Sequence, residues 1–350
     1  MTRETPALVI TADTLLLEEL SRLAAAAGAA TEAVADVAAA LAAWSRAALV
    51  IVGADALREL ALLGPPRRAG VYAASWGPPA EELYRPALHV GVESIVELPA
   101  AAGVVTDLLT DLGHRGPEGP VVGVLGGSGG AGATTFAAAL ARVAAARGAT
   151  MLIDADPLGP GVDRVLGLED VPGVRWPELA QTSGRLGARA LREALPRSGR
   201  LGLLGWDSGE IRVPEPAVVR EVLSAARRGH DLVIVDLPRA LDEVATEVVS
   251  RCDLLVLVVS ASVTGIAAAG RVLARLPERE RLRLVVRGRH ADPEVVSRAL
   301  GVPVLTAMPD QRGLAEAVDL GLGPGRTGRG PLGRAAAEVL ARCRMQVVAA

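Results

Sequence analysis

The chain has 350 residues, 50% of them hydrophobic and only 2% aromatic, with a net charge of −3. That length accommodates two ordinary domains, and the near-balanced charge gives no global electrostatic basis for binding nucleic acid. Its two cysteines, Cys252 and Cys343, lie far apart, which argues against a disulfide framework, a zinc knuckle or an iron–sulfur cluster.

No apolar run is long enough to span a bilayer, and the opening MTRETPALVITAD lacks a basic stretch followed by an apolar one. The expectation is a cytoplasmic protein. All 37 basic residues are arginine, and the chain contains no lysine and no asparagine. Cationic help with a bound anion must therefore come from arginine, a metal or a partner protein.

In chain order, PALVIT (6–11) reads as a buried strand and 13–28 as a helix ended by Gly28. A weaker strand near 31–35 precedes an Ala-rich helix over 37–47. Further strands are expected at 48–54, 68–75 and 92–99, with a helix over 101–112. Alternating strands and helices imply a parallel sheet covered on both faces. GHRGPEGP (113–120) reads as a linker. Beyond it, strands are expected at 121–126, 149–156, 201–206, 230–238, 253–260, 282–288 and 302–308. These form a second, larger α/β domain over 121–350, with 321–333 as a loop before the last helix.

Three stretches of that domain carry chemistry. VVGVLGGSGGAGATTFAAAL (121–140) runs from strand to helix through a glycine-rich loop, the layout in which backbone N–H groups and a helix N-terminus cradle phosphate. Gly129, Gly130 and Gly132 permit positive φ and close approach. Thr134 stands where a Mg²⁺ ligand belongs, and Thr135 is placed to meet a phosphate. The lysine that normally precedes the threonines is Ala133. The plain alternative is a tight turn with no ligand.

In MLIDADPLGPGVD, Asp154 and Asp156 leave the carboxyl end of a buried strand, the edge at which parallel sheets bind ligands. They can hold Mg²⁺ through water or orient an attacking water; alternatively, one caps the next helix and the other is solvated. In DLVIVDLPR an apolar run ends at Asp236, the arrangement of an acid reaching the Mg²⁺ water shell.

GGAGATT, DADPLGPGVD, VDLPR, CDLLVLVVSASVTGIAAAGRVL and AMPDQRGLAEAVDLG occur in that order. Over about 121–345 the domain resembles the MinD/ParA family of deviant Walker A ATPases. VDLPR and the G-A-T-T loop ending are similar to the CpaE/TadZ branch, which positions pilus and secretion machinery. With the first domain included, the whole chain resembles the actinobacterial CpaE-like septum site-determining proteins. The resemblance implies a P-loop NTPase-like parallel-sheet domain that binds ATP and Mg²⁺. Gly129, Gly130, Gly132, Ala133, Thr134 and Thr135 would surround the phosphates, and Arg287 would fall near the base. Thr134, Asp154 and Asp236 would face the metal, with Asp156 as the catalytic residue. The family's two loop lysines match Ser128 and Ala133 here, so both charges are missing. Loss of one such contact to a transition state costs about 2.7–4 kcal/mol, or roughly 10²–10³ in rate. The implied site is weak or vestigial, at most a slow ATPase; an active ATPase switch is the alternative. Arg239 and Arg287, at strand ends on the same edge, either compensate in part or are plain surface arginines.

Residues 1–112 resemble a receiver domain of the flavodoxin-like class, which needs an acidic pair, an acceptor Asp, a Thr/Ser and a Lys-Pro. Here only Asp13 remains of the pair, Gly53 occupies the acceptor position with Asp55 two residues late, Ser75 marks the fourth strand, and Leu98-Pro99 lacks the lysine. A degenerate, phosphorylation-independent docking domain is the expectation, with Asp55 as a displaced acceptor the alternative.

His89, His114, His230 and His290 show no metal spacing. The last helix carries Arg334, Arg342 and Arg344 but no Trp or Phe, so packing on the sheet is expected rather than lying on a membrane. Glu316, Asp319 and Glu338 weaken a DNA-binding role for the arginines of 326–344. The implied partners are proteins of division or secretion machinery, with a homodimer and attachment at the cytoplasmic side of the membrane through partners left open.

Overall fold

The computed structural model describes residues 7–113, 118–181, 186–207, 209, 211–276, 279–288, 292–324 and 329–349. His114, His290, Arg326 and the middle of the 113–120 linker lie outside the described residues, as does the side chain of Arg344. The chain forms two compact units, Met1–Gly116 and Pro117–Ala350.

The first unit contains β1 (Ala7–Ile10), α1 (Thr14–Ala27), β2 (Thr31–Val34), α2 (Val37–Trp44), β3 (Val50–Gly53), α3 (Leu57–Leu63), β4 (Val71–Trp76), α4 (Tyr84–Val90), β5 (Ser94–Leu98) and α5 (Ala102–Gly113). Its five strands are parallel, in the order β2-β1-β3-β4-β5. Strand order reverses between β1 and β3, which opens a crevice at their carboxyl ends. The strands read as continuous apolar runs because both faces are covered; β1 and β3 are buried at every position. Asp13 and Asp36 cap α1 and α2 by accepting backbone N–H bonds, and Gly28 ends α1 at φ 64°.

The second unit opens with β6 (Val121–Gly126), α6 (Ala133–Ala145), β7 (Thr150–Asp154), α7 (Val162–Leu166), α8 (Trp176–Leu179), α9 (Ala188–Ala194), β8 (Arg197–Ser198) and β9 (Leu201–Leu204). It continues with α10 (Pro216–Gly229), β10 (Leu232–Leu237), α11 (Glu243–Arg251), β11 (Leu254–Ser260), α12 (Val263–Leu273), β12 (Leu282–Arg287), α13 (Pro293–Leu300), β13 (Val304–Met308), α14 (Leu314–Asp319) and α15 (Pro331–Ala349). The sheet order is β13-β12-β11-β6-β10-β7-β9-β8, parallel except for the β8–β9 pair. Every strand expected from the sequence is present, with ends shifted by up to three residues: 68–75 becomes Val71–Trp76, 201–206 becomes Leu201–Leu204 and 302–308 becomes Val304–Met308.

Helix α6 explains the alanine content. Phe136 to Ala141 are all fully buried, because α6 is enclosed between the sheet and α15. Alanine lets both neighbours approach closely. Leu332, Ala335, Ala336, Val339, Leu340 and Cys343 form the buried stripe of α15, while Arg334 and Arg342 face solvent. The last helix therefore packs on its own domain, as its composition suggested. Among the described residues no helix is long and apolar enough to cross a membrane.

Candidate functional site

β6 lies at the middle of the second sheet, between β11 and β10. The loop 127–132 leaves its carboxyl end and delivers the chain into α6. Gly130 and Gly132 have φ of 72° and 91°, values that a side chain would resist. The Gly127 N–H is tied to the Val258 carbonyl at 2.9 Å, which anchors the loop to β11. Gly132 is the N-cap of α6, and no side chain caps the helix. Its first N–H groups therefore remain available to an anion.

Arg287, at the end of β12, donates through Nη1 to the carbonyls of Gly130 and Ala131 at 3.1 and 3.3 Å, and through Nε to Asp310 Oδ1 at 2.7 Å. Its guanidinium holds two loop carbonyls. A cavity of about 380 Å³ adjoins this point, lined by Gly132, Thr135, Arg287, Asp310, Gln311 and Leu314 among others.

The acids gather on the other side of the loop. Asp236 and Asp154 are direct register partners on β10 and β7. Both are buried, at 2% and 1% exposure. Asp154 behaves largely as the capping alternative foresaw: its oxygens accept from Asp156 N at 3.0 Å and from Val162 N, at the start of α7, at 3.1 Å. Its backbone carbonyl accepts from Trp176 Nε1 at 2.6 Å. Asp156 is half-buried and accepts from Leu158 N at 3.1 Å. Asp236 differs from both, because its Oδ1 is buried with no hydrogen-bond donor among the described residues.

The electrostatics follow from this packing. Burial pushes the Asp154 carboxyl up to about 7, against the backbone donors of Val162 and Asp156. Burial also raises Asp236 well above the ordinary carboxylate range; the neighbouring Asp154 adds to the rise, and a hydrogen bond from Thr134 opposes it. Two adjacent buried carboxyls, one carrying a donorless oxygen, form a setting that suits a divalent cation. Among the described residues no three His, Cys, Asp or Glu side chains converge into a metal-binding group. The protein alone thus supplies a partial ligand set, Thr134 with Asp236. That fits Mg²⁺, which commonly takes one or two carboxylates and draws its other ligands from phosphate and water.

The corresponding edge of the first sheet is arranged differently. Asp55 turns back over Gly53, where a β-carbon would lie 2.2 Å from its Oδ1. It accepts from Thr11 Oγ1 and Ala12 N, both at 2.7 Å. Asp13 is occupied in capping α1, and Ser75 Oγ donates to the Gly77 carbonyl at 2.9 Å.

Among the described residues no histidine or thiol joins either edge. His230 is buried against the Ala226 carbonyl and held down at about 4, chiefly by desolvation; His89 lies exposed on α4. Burial pushes the Cys252 thiol up to about 12. Sequence reasoning missed Trp176, which fixes the end of β7 through Asp154, and Asp310, which fixes Arg287. Neither carries a short-range signal.

Fold and edge geometry together define a CheY-like domain joined to a parallel-sheet domain of the MinD/ParA fold. The second fold is shared with the ParA family ATPase from Chlorobium tepidum TLS, at 19% identity and TM-score 0.57 over 65% of this chain and 99% of that one. It is also shared with the MinD cell division protein of Aquifex aeolicus, at 22% identity and TM-score 0.52 over 65% of this chain and 97% of that one. A third match is the septum site-determining protein MinD complexed with Mg-ADP from Pyrococcus horikoshii OT3, at 18% identity and TM-score 0.52, covering 65% and 98%. The model of the Rv3660c-like, CheY-like N-terminal domain matches residues 10–120. Protein Rv3660c of Mycobacterium tuberculosis (strain ATCC 25618 / H37Rv) is 36% identical over 291 residues, 79% of this chain and 81% of that protein. The chain belongs to the Rv3660c-like family.

Proposed function

We propose that the second domain binds a Mg²⁺–nucleotide, ATP being the ligand to test first, and that the protein is a spatial regulator acting through protein contacts with little hydrolysis. The observation that carries this reading is the donorless Oδ1 of Asp236, buried beside Thr134 at the foot of an uncapped helix N-terminus. When bound there, Mg²⁺ supplies positive charge that this chain's loop lacks, since Ser128 and Ala133 carry none. Thr134 and Asp236 would hold it, the loop N–H groups would orient the phosphates, and Asp154 would stiffen the end of β7. The deviant Walker A assignment rests on that loop sequence.

A similar fold was solved with Mg-ADP, and another as a MinC:MinD cell division protein complex. These likenesses support nucleotide binding and a protein partner; the choice between division and pilus or secretion machinery, the CpaE-like role, rests on the VDLPR and G-A-T-T sequences alone. A homodimer, and residence at the cytoplasmic side of the membrane through partners, belong to the same reading. In it the CheY-like domain docks partners without being phosphorylated.

The test is thermal stabilisation. ATP with Mg²⁺ should raise the melting temperature of the second domain, and ATP with EDTA should not. No shift at millimolar ATP and Mg²⁺ contradicts the nucleotide reading.

A further inference from the structure

Two arginines reach the loop from strand ends on either side of it, Arg287 from β12 and Arg239 from β10, and their surroundings differ. Arg287 is engaged by two loop carbonyls and by Asp310. Arg239, three residues beyond Asp236, has neither an ion pair nor a hydrogen-bond partner among the described residues, and it is exposed. Its side chain nevertheless lies along the loop. Arg239 Cγ is 3.8 Å, and the Ala133 β-carbon 3.6 Å, from where a β-carbon on Gly126 would stand. Arg239 Nη1 is 3.7 Å from the corresponding point on Gly129. The arginine thus starts beside Ala133 and extends its charge to the exposed turn next to Ser128, between the two lysine-type positions that carry no charge here.

We propose that Arg239 is the phosphate-binding cation of this loop, donating to the terminal phosphates of a nucleotide from the neighbouring strand. The proposal rests on the nucleotide reading above. A guanidinium suits the role, since its planar fork matches two phosphate oxygens at once, and Arg239 gives up no internal partner to perform it. Arg287 is a positioning residue: by holding the Gly130 and Ala131 carbonyls it orients the loop, and its charge is already matched by Asp310.

The experiment is calorimetric titration of the full chain with Mg-ATP and, separately, with inorganic tripolyphosphate, which has no base. The proteins are wild type, Arg239→Gln, Arg239→Lys, and Arg239→Gln combined with Ala133→Lys. Loss of one charged hydrogen-bonding group should weaken both ligands about tenfold or more in Arg239→Gln. Arg239→Lys should retain most of the affinity, because lysine also binds phosphate as a point charge. Lysine at 133 should restore the affinity of Arg239→Gln, because it enters the same neighbourhood from the helix. Arg239→Gln binding both ligands within twofold of wild type overturns the Arg239 assignment and leaves the nucleotide reading standing. Absence of binding by wild type and by the Arg239→Gln/Ala133→Lys protein overturns both.

Discussion

The two sheets present the same kind of edge and treat their acids in opposite ways. In the CheY-like domain Asp55 is satisfied from within, its oxygens taken by Thr11 and Ala12 over a glycine that leaves room for them. In the MinD/ParA-like domain Asp236 is buried beside Asp154 and one oxygen has no donor. An acid with internal donors needs nothing further. A buried acid without them costs stability in the free protein, about 1–3 kcal/mol for an unsatisfied group, and recovers it when a cation arrives. The difference separates an edge that has closed on itself from one still shaped for a ligand.

The largest expected effect concerns catalysis at the open edge. Phosphate release with Mg²⁺ should fall at least about 10²-fold short of a relative bearing both loop lysines, given the loss per missing contact. Robust turnover that disappears in Asp156→Ala would instead establish an active ATPase switch.

Stability should respond with opposite signs at the two edges. With EDTA present, Asp236→Asn should stabilise the second domain by about 1–3 kcal/mol, because it removes a buried carboxyl that has a donorless oxygen and whose ionisation burial opposes. Asp55→Ala should destabilise the first domain by about 1 kcal/mol, through two lost hydrogen bonds. Calorimetric unfolding of both variants is the measurement, and changes of the same sign in both would erase the contrast.

The Asp236→Asn gain should also depend on pH. A carboxyl raised in the folded state accumulates its cost as pH climbs from the unfolded value to the folded one, and keeps it above that. That cost is absent below the unfolded value near 3.8, and for Asp154 it is fully developed above about 7. Asp236 is raised in the same direction, so the gain should grow as pH rises and shrink toward pH 4. His230, lowered from 6.5 to about 4, works the other way: its contribution is complete above 6.5 and is lost as pH falls toward 4. That loss is common to both proteins and cancels in the difference. A gain independent of pH would show that folding does not raise the Asp236 carboxyl. The smallest effect is a null one: acetyl phosphate should add no mass to residues 1–112, and an adduct lost in Asp55→Ala would contradict the closed edge.

Much of this was legible in the sequence, for a physical reason. Parallel strands covered on both faces read as apolar runs, so VVGVLG and DLVIVDLP announced β6 and β10. Short helices did not announce themselves: α3 ends before a Gly-Pro-Pro turn, and α4 contains Pro86. The residue types of the loop and the acids at strand ends were also evident. Their partners were not, because partnership is set by folding. Asp154 and Asp236 look alike in sequence, yet only one finds backbone donors. Arg239 and Arg287 look alike too, yet Asp310 and two carbonyls claim only the second.

Calorimetric titration of wild type, Ala133→Lys and Asp236→Ala with ATP, in millimolar Mg²⁺ and again in EDTA, tests most directly whether the second edge still takes a ligand. The expected result is weak binding by wild type that requires Mg²⁺, tighter binding by Ala133→Lys, and loss of binding in Asp236→Ala. If neither wild type nor Ala133→Lys binds ATP in millimolar Mg²⁺, the loop is only a turn and the open edge is not a nucleotide site.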